Sequence, residues 1–241
     1  MPYRRLPKTD VTRVKALQAV IDKCNQLAFS EQIVNFGTLN KAKNLQRLFE
    51  NKMGQYQQAI NNELTSNKRY RHLMSNAKIY ISHFIQVLNL AVIRGDVKRE
   101  HKEYYQLDCD NNTVPELSSE NDILTWGKRI IDGENSRLSK GGFPIYNPTI
   151  AKVRVHYDIF KEYFTTQQLH RQSTLRNRKE VDKIRFEVDE ILFEVWNQVE
   201  AYYADCKPYD KLCKCQAYGL IYYYRRKEKE LTPEDDLVDF E

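Results

Sequence analysis

Cys206, Cys213 and Cys215 lie within one short stretch among Lys207, Lys211 and Lys214. With six residues and then one between them, they could supply three zinc thiolates, with Cys109 or His101 as a distant fourth. The neighbouring lysines could also lower a thiol pKa and make it reactive. Structural zinc sites more usually pair cysteines two to four apart, twice over, and that spacing is absent. Ordinary reduced thiols packed against the last helix fit better, so neither metal nor cofactor is expected.

Two polar stretches concentrate cations. NNELTSNKRYRH holds Lys68, Arg69, Arg71 and His72; TTQQLHRQSTLRNRK holds His170, Arg171, Arg176, Arg178 and Lys179. Such clusters attract phosphates with a salt-dependent, sequence-independent affinity. Exposed turns are also commonly charged for no other reason than solvation. The run Tyr218-Gly219-Leu220-Ile221-Tyr222-Tyr223-Tyr224-Arg225-Arg226 has the aromatic and β-branched content of a strand or extended arm. Its tyrosines could stack on single-stranded bases or pack their rings along a helical body.

Other patterns exclude chemistry. Asp108-Cys109-Asp110-Asn111-Asn112 begins like a calcium loop but has Thr113 where glycine is needed and Ser119 where glutamate is needed. Glu187, Glu190 and Glu194 share a helix face without the histidine of a di-iron motif, and read as a solvated stripe. Lys140-Gly141-Gly142 is not a phosphate-binding Walker loop, and the five histidines form no triad spacing.

Amphipathic helices must position these residues. Thr9 or Asp10 can cap a helix whose stripe is Val11, Val14, Leu17, Val20 or Ile21 and Cys24. After Gly37, the spacing of Leu39, Ala42, Leu45, Phe49, Met53, Tyr56 and Ile60 is helical. It fades in the first polar stretch, resumes from Leu73 to Ala91, and ends at Gly95. Residues 96–118 read as a connector. Ser119 caps a helix that Gly133 closes, and Asn147-Pro148 opens the next helix. From Thr149 to Lys207 there is neither Gly nor Pro, and two stripes flank the second polar stretch.

A shift of 111 residues lays Leu39 on Ile150, Phe49 on Phe160, Leu73 on Ile184 and Phe84 on Val195. The shared order of short helix, turn and two long stripes suggests an internal duplication. Each polar stretch is either the turn of a helical hairpin or the middle of one long helix. Heptad phase through Val153, Phe160, Gln167, Thr174, Val181 and Val188 favours continuity. A helix of some 57 residues would, however, run about 85 Å, and globular helices average about 11–12 residues. Hairpins are therefore expected, giving an all-α bundle of two similar three-helix halves, residues 1–95 and 119–207. A C-terminal region, 208–241, adds a short helix, the tyrosine-rich arm and an acidic tail.

Composition agrees with this class. Eight glycines and seven prolines in 241 residues argue against a turn-rich sandwich or barrel. No apolar run is long enough for a transmembrane helix, the start lacks a secretory signal, and five cysteines read as reduced cytoplasmic thiols. The net charge of +5 conceals a tail, TPEDDLVDFE, that bears five acids and no base, so the body is more basic than the whole. Such a tail could compete with a polyanion for the basic surface.

The stretch PELSSENDILTWGKRIIDGENSRLSKGGFPIYNPTIAKVRVHYDIF, with YGLIYYYRRKE further on, is similar to a family of bacterial all-helical proteins with no assigned activity. The resemblance implies a helical fold and carries no site residues. Taken together, the sequence points to a cytoplasmic, non-enzymatic binding or scaffold protein with a protein partner or self-association. The alternatives are nucleic-acid binding through Lys68, Arg69, Arg71, Arg171, Arg176, Arg178 and Lys179, and an enzyme with a site between the halves.

Overall fold

The computed structural model describes residues 2–226 and 228–236, and within them the chain is all-α apart from one small ribbon. Five α-helices form: α1 (Asp10–Gln26), α2 (Phe36–Ile93), α3 (Glu120–Ser139), α4 (Ile150–Tyr202) and α5 (Pro208–Gln216). Thr9 and Ser119 cap α1 and α3, each in a reciprocal capping box with the residue three positions on, Thr12 and Asp122. Gly95, at φ 81°, turns the chain out of α2. The arm contributes β2 (Tyr222–Tyr223), which pairs antiparallel with β1 (Tyr3–Arg4).

The hairpin expectation fails at both polar stretches. Lys68–Arg71 lie inside α2, and Arg171–Lys179 lie inside α4, with unbroken helix on either side. The heptad phase accounts for it. Val153, Phe160, Val181, Val188 and Val195 are all buried, and at the same phase Gln167 is buried to 1% exposure. The seam thus crosses the polar stretch by way of a polar residue. Each half of the chain therefore supplies one short and one long principal helix, not three, and the element order still repeats.

The glycine expected to close α3 does something else. Gly133 is buried within a helix that continues to Ser139, and a Cβ there would meet the Tyr105 ring at 2.6 Å and the Tyr104 carbonyl at 2.7 Å. Pro148, expected as the first helical residue, precedes Ile150 by two positions, behind an Asn147 at φ 53°.

The chain divides into two compact units. One comprises Met1–Gln58 and Leu175–Glu241, the other Ala59–Thr174. In the first, α1, α5 and the Tyr218–Leu220 turn enclose a core with α2 and α4; Leu17, Val20, Phe49, Val188 and Trp196 are at its centre. Here α2 and α4 run antiparallel: Thr38 donates to Glu194 at 2.7 Å, and Lys52 meets Glu180 at 2.6 Å. In the second unit, α3 and the 3-10 segment Arg99–Tyr105 cover a core that includes Ile81, Phe84, Ile130, Val153 and Phe160. The same antiparallel pairing appears there, with Tyr70 stacked on Phe160 at 5.8 Å and Tyr80 on His156 at 3.9 Å.

Both amide atoms of Gln167 lack a hydrogen-bond partner within the chain, as does the Thr174 hydroxyl. An unpaired buried amide costs about 1–3 kcal/mol. Gln167→Leu, of similar volume, is therefore expected to raise the midpoint of urea unfolding, whereas Phe160→Ala should lower stability by roughly 3–5 kcal/mol. A Leu variant no more stable than wild type would show that the amide is satisfied by solvent.

Candidate functional site

The seven basic residues singled out by the sequence do not form one kind of surface. Arg171, in α4, donates twice to Glu120 at the start of α3, at 3.2 and 3.0 Å, and so clamps one helix to the other. The Arg69 guanidinium lies 4.8 Å from the centre of the Tyr163 ring, a cation–π contact between α2 and α4. Arg178 reaches Asp182 one turn on, at 4.0 Å. Lys68, Arg71, Arg176 and Lys179 are exposed and form no ion pair among the described residues, although the charge of Arg176 is felt by Glu180 one turn on. Lys68 and Arg71 line a shallow concavity with Leu64, Thr65 and Asn67. Four of the seven thus remain available to an external anion, while Arg69 and Arg171 hold helices together.

The cysteines are not gathered. Cys215 is buried in the core, Cys213 is exposed, and Cys206 accepts a long contact from Lys214 at 3.8 Å. Among the described residues no group of three or more His, Cys, Asp or Glu side chains is placed to hold a metal ion. Asp235 and Asp236 of the acidic tail are engaged within the chain. The Asp236 carboxylate accepts from the backbone N–H groups of Tyr209 and Asp210, both at 2.9 Å, and so caps α5, whose own N-cap residue Lys207 supplies no side-chain cap. Asp235 accepts from the Thr232 backbone and from Lys229. Asp239 and Glu241 lie outside the described residues.

The connector expected at 96–118 holds two features that the sequence reading missed. Lys102 is fully buried, donating to the Asn111 carbonyl at 2.7 Å and the Asn112 side chain at 2.9 Å, and burial pushes its pKa down. Tyr105 donates to Glu134, which pairs with Arg137 at 2.9 Å; Arg137 also donates to the Phe143 carbonyl, and Glu134 accepts from the Ile145 N–H. This pair is almost wholly removed from solvent. Burial raises the Tyr105 pKa, with the adjoining Glu134 acting in the same direction. With each carboxylate and guanidinium contact directed inward, the trio ties the connector, α3 and the loop after α3 together. An exposed pair one turn apart on a helix, by contrast, contributes a few tenths of a kcal/mol.

A concave surface lies along α3 and α4. It is an open groove of about 700 Å³, floored by Leu124, Tyr157 and Phe164 and edged by Lys128, Arg129, Lys161 and Asp132. Tyr157 is held in place: its ring lies so close to Gly127 that a Cβ there would sit 2.2 Å away, and its hydroxyl donates to the Leu124 carbonyl at 3.1 Å. Its pKa is raised by burial first and by Asp158 and Asp132 second. The sequence carried no signal for this groove: Lys128 and Arg129 sit beside one apolar stripe and Lys161 beside another, far along the chain.

An all-α protein of continuous long helices is the class that fold and surface define. No family model, no curated protein and no solved structure matches the chain. No helix among the described residues is long and apolar enough to cross a membrane.

Two expectations follow from the buried charges. Arg137→Met leaves Glu134 buried without its partner and should cost about 3–5 kcal/mol, while Glu134→Leu with Arg137→Met should recover part of that loss in urea unfolding. For Glu120, burial works to raise the pKa, but hydrogen bonding from Arg171, the nearby Tyr70 hydroxyl and the charge of Arg171 outweigh it and hold the carboxyl below its ordinary value. A depressed carboxyl contributes stability that is complete above its unfolded pKa and lost as pH falls through the folded one. The gap in Tm between wild type and Arg171→Met should therefore be widest near neutral pH and narrow as pH drops below the ordinary glutamate value of 4.5.

Proposed function

We propose that the protein is a non-catalytic helical scaffold that self-associates through the outer face of α4. The observation that carries this reading is a set of large apolar side chains on one face of that helix: Leu175, Phe186 and Phe193 are 56%, 66% and 50% exposed. Their spacing of eleven and then seven residues returns each to the same side of a 3.6-residue helix. Apolar groups concentrated in this way mark contact surfaces more often than solvated ones. Arg4 already covers part of Phe193, 4.6 Å from its ring centre.

The charges between these residues favour a second copy of the chain as the occupant. Lys179 and Glu190 lie along the same face, both exposed, and neither meets an opposite charge among the described residues. When two copies of α4 meet antiparallel about a two-fold axis, Lys179 of each falls opposite Glu190 of the other and the Phe186 rings approach the axis. A heterologous partner would need only one of these complements; a two-fold contact uses both.

A second reading has its own observation. Lys68 and Arg71 stand one helical turn apart on α2, exposed and without a carboxylate partner, which favours weak polyanion binding. Arg69 is left intact in the test, because it carries a contact to Tyr163. Lys68→Ala with Arg71→Ala is the cleaner variant; DNA or RNA affinity should fall while Tm stays nearly unchanged. Affinity of the wild type should also fall steeply between low and physiological salt.

Sedimentation equilibrium tests the scaffold reading. Wild type should show a concentration-dependent mass approaching two chains, and Phe186→Glu should remain monomeric with unchanged helicity. Lys179→Glu alone should weaken association, and Lys179→Glu with Glu190→Lys should restore it. A wild type that is monomeric at high concentration, or a double reversal that restores nothing, ends the proposal.

A further inference from the structure

The geometry points to the α3–α4 groove as a binding site for a nucleoside di- or triphosphate, a role separate from the self-association face. Three properties of the groove converge on that ligand class. Its 700 Å³ is within the range of small-molecule sites. Its floor is apolar and aromatic: Tyr157 is buried at its base, and the half-buried Leu124 and Phe164 offer a surface against which a planar base can stack. Its edge is cationic, and Lys128 and Lys161 are exposed with no carboxylate partner among the described residues.

The edge charges set the class more narrowly. Arg129 joins the two lysines, although its guanidinium also lies 4.7 Å from the centre of the Trp126 ring. Three cations against the single carboxylate of Asp132 suit a group bearing two or more negative charges, such as a diphosphate, better than a monoanion. Asp132, which would repel phosphate, is a hydrogen-bond acceptor suited to sugar hydroxyls, which can donate to it. An inorganic polyphosphate would leave the aromatic floor and Asp132 unused, and an uncharged nucleoside would leave the lysines unused. A ligand with base, sugar and at least two phosphates engages all three.

The floor is set before any ligand arrives. Gly127 admits the Tyr157 ring against its backbone, and the Tyr157 hydroxyl is fixed by the Leu124 carbonyl. The wall therefore needs no rearrangement to receive a planar group, which limits the ordering cost of binding. Beyond Asp132 the depression continues along the same seam past Asn135, Arg154 and Asp158, whose carboxylate, like that of Asp132, keeps the phosphates at the lysine edge.

The test is titration of the full chain with ADP in low-salt buffer, without added metal, followed by calorimetry and by amide chemical shifts. Saturable binding is expected, weakened about tenfold or more by Lys128→Glu with Lys161→Glu, because each reversal replaces an attraction with a repulsion. Lys128→Arg with Lys161→Arg should retain binding, and circular dichroism should show all variants equally helical, since both positions are exposed. Adenosine and inorganic pyrophosphate should each bind at least about tenfold more weakly than ADP. Lys68→Ala with Arg71→Ala should leave ADP affinity unchanged, which separates this site from the polyanion surface on α2. Phe186→Glu should likewise leave it unchanged, so failure of self-association and failure of nucleotide binding are read independently. No binding of ADP, pyrophosphate binding as tightly as ADP, or affinity indifferent to the double charge reversal would each overturn the inference.

Discussion

A seven-residue repeat of buried side chains along α4 constrains where every other helix can go. Val153, Phe160, Gln167, Val181, Val188 and Val195 keep one phase, so α4 has a single inward stripe to offer. In each unit that stripe is shared between α2, running antiparallel, and one short helix: α1 in the first unit and α3 in the second. Two amphipathic helices alone leave part of each stripe wet. The third helix closes the core, which is why both short helices are capped and well defined at their starts.

The short helices are secured by different chemistry. Arg13 of α1 meets Asp189 of α4 at 2.8 Å, and Arg185 of α4 reaches back to Asp10 at 2.5 Å, so partly buried ion pairs frame an apolar contact. For α3 the polar contact is internal, with Tyr105, Glu134 and Arg137 sealed beneath the loop that leads into α4. A buried pair of this kind contributes little over an apolar substitute, yet breaking it is expensive. It therefore acts less as a source of stability than as a constraint, because only one placement of the connector satisfies all of its hydrogen bonds. Gly133 adds a steric constraint at the same place, since any larger residue would collide with Tyr104 and Tyr105.

Much of this was legible in the residues. The stripes of α1 to α4, the caps at Thr9 and Ser119 and the exit at Gly95 are local signals, and local signals survive folding. The continuity of α4 was legible in the heptad phase through Gln167 and Thr174, but average helix length outweighed it there and in α2, and that prior does not apply where a second long helix lies alongside. Gly133 misled because a glycine that ends a helix and one that admits a neighbouring ring are identical in sequence. The groove could not be read at all: Lys128 and Lys161 are 33 residues apart in the chain, and only the antiparallel packing of α3 on α4 brings them to one edge. The same holds for Tyr105 and Glu134, whose pairing depends on how the connector folds back.

Gln167 carries the remaining question of why a polar residue is kept in an apolar seam. Its amide atoms are unpaired and its side chain is buried, so leucine there is expected to be more stable. What glutamine would supply in return is register. Uniform valine and phenylalanine along a heptad stripe would tolerate α4 sliding by seven residues against α2, since every layer would still be apolar. With Gln167 in place, a slip of one heptad would put its amide where Phe160 now stacks on Tyr70, stripping an aromatic contact and pressing a polar group against a ring. A single buried polar residue at such a position fixes pairing at some expense of stability. Register matters here because each half of α4 must present its own cations: Glu120 must find Arg171, and Asp10 must find Arg185. A slipped α4 would break both clamps at once, and the short helices would lose the contacts that hold them over the core.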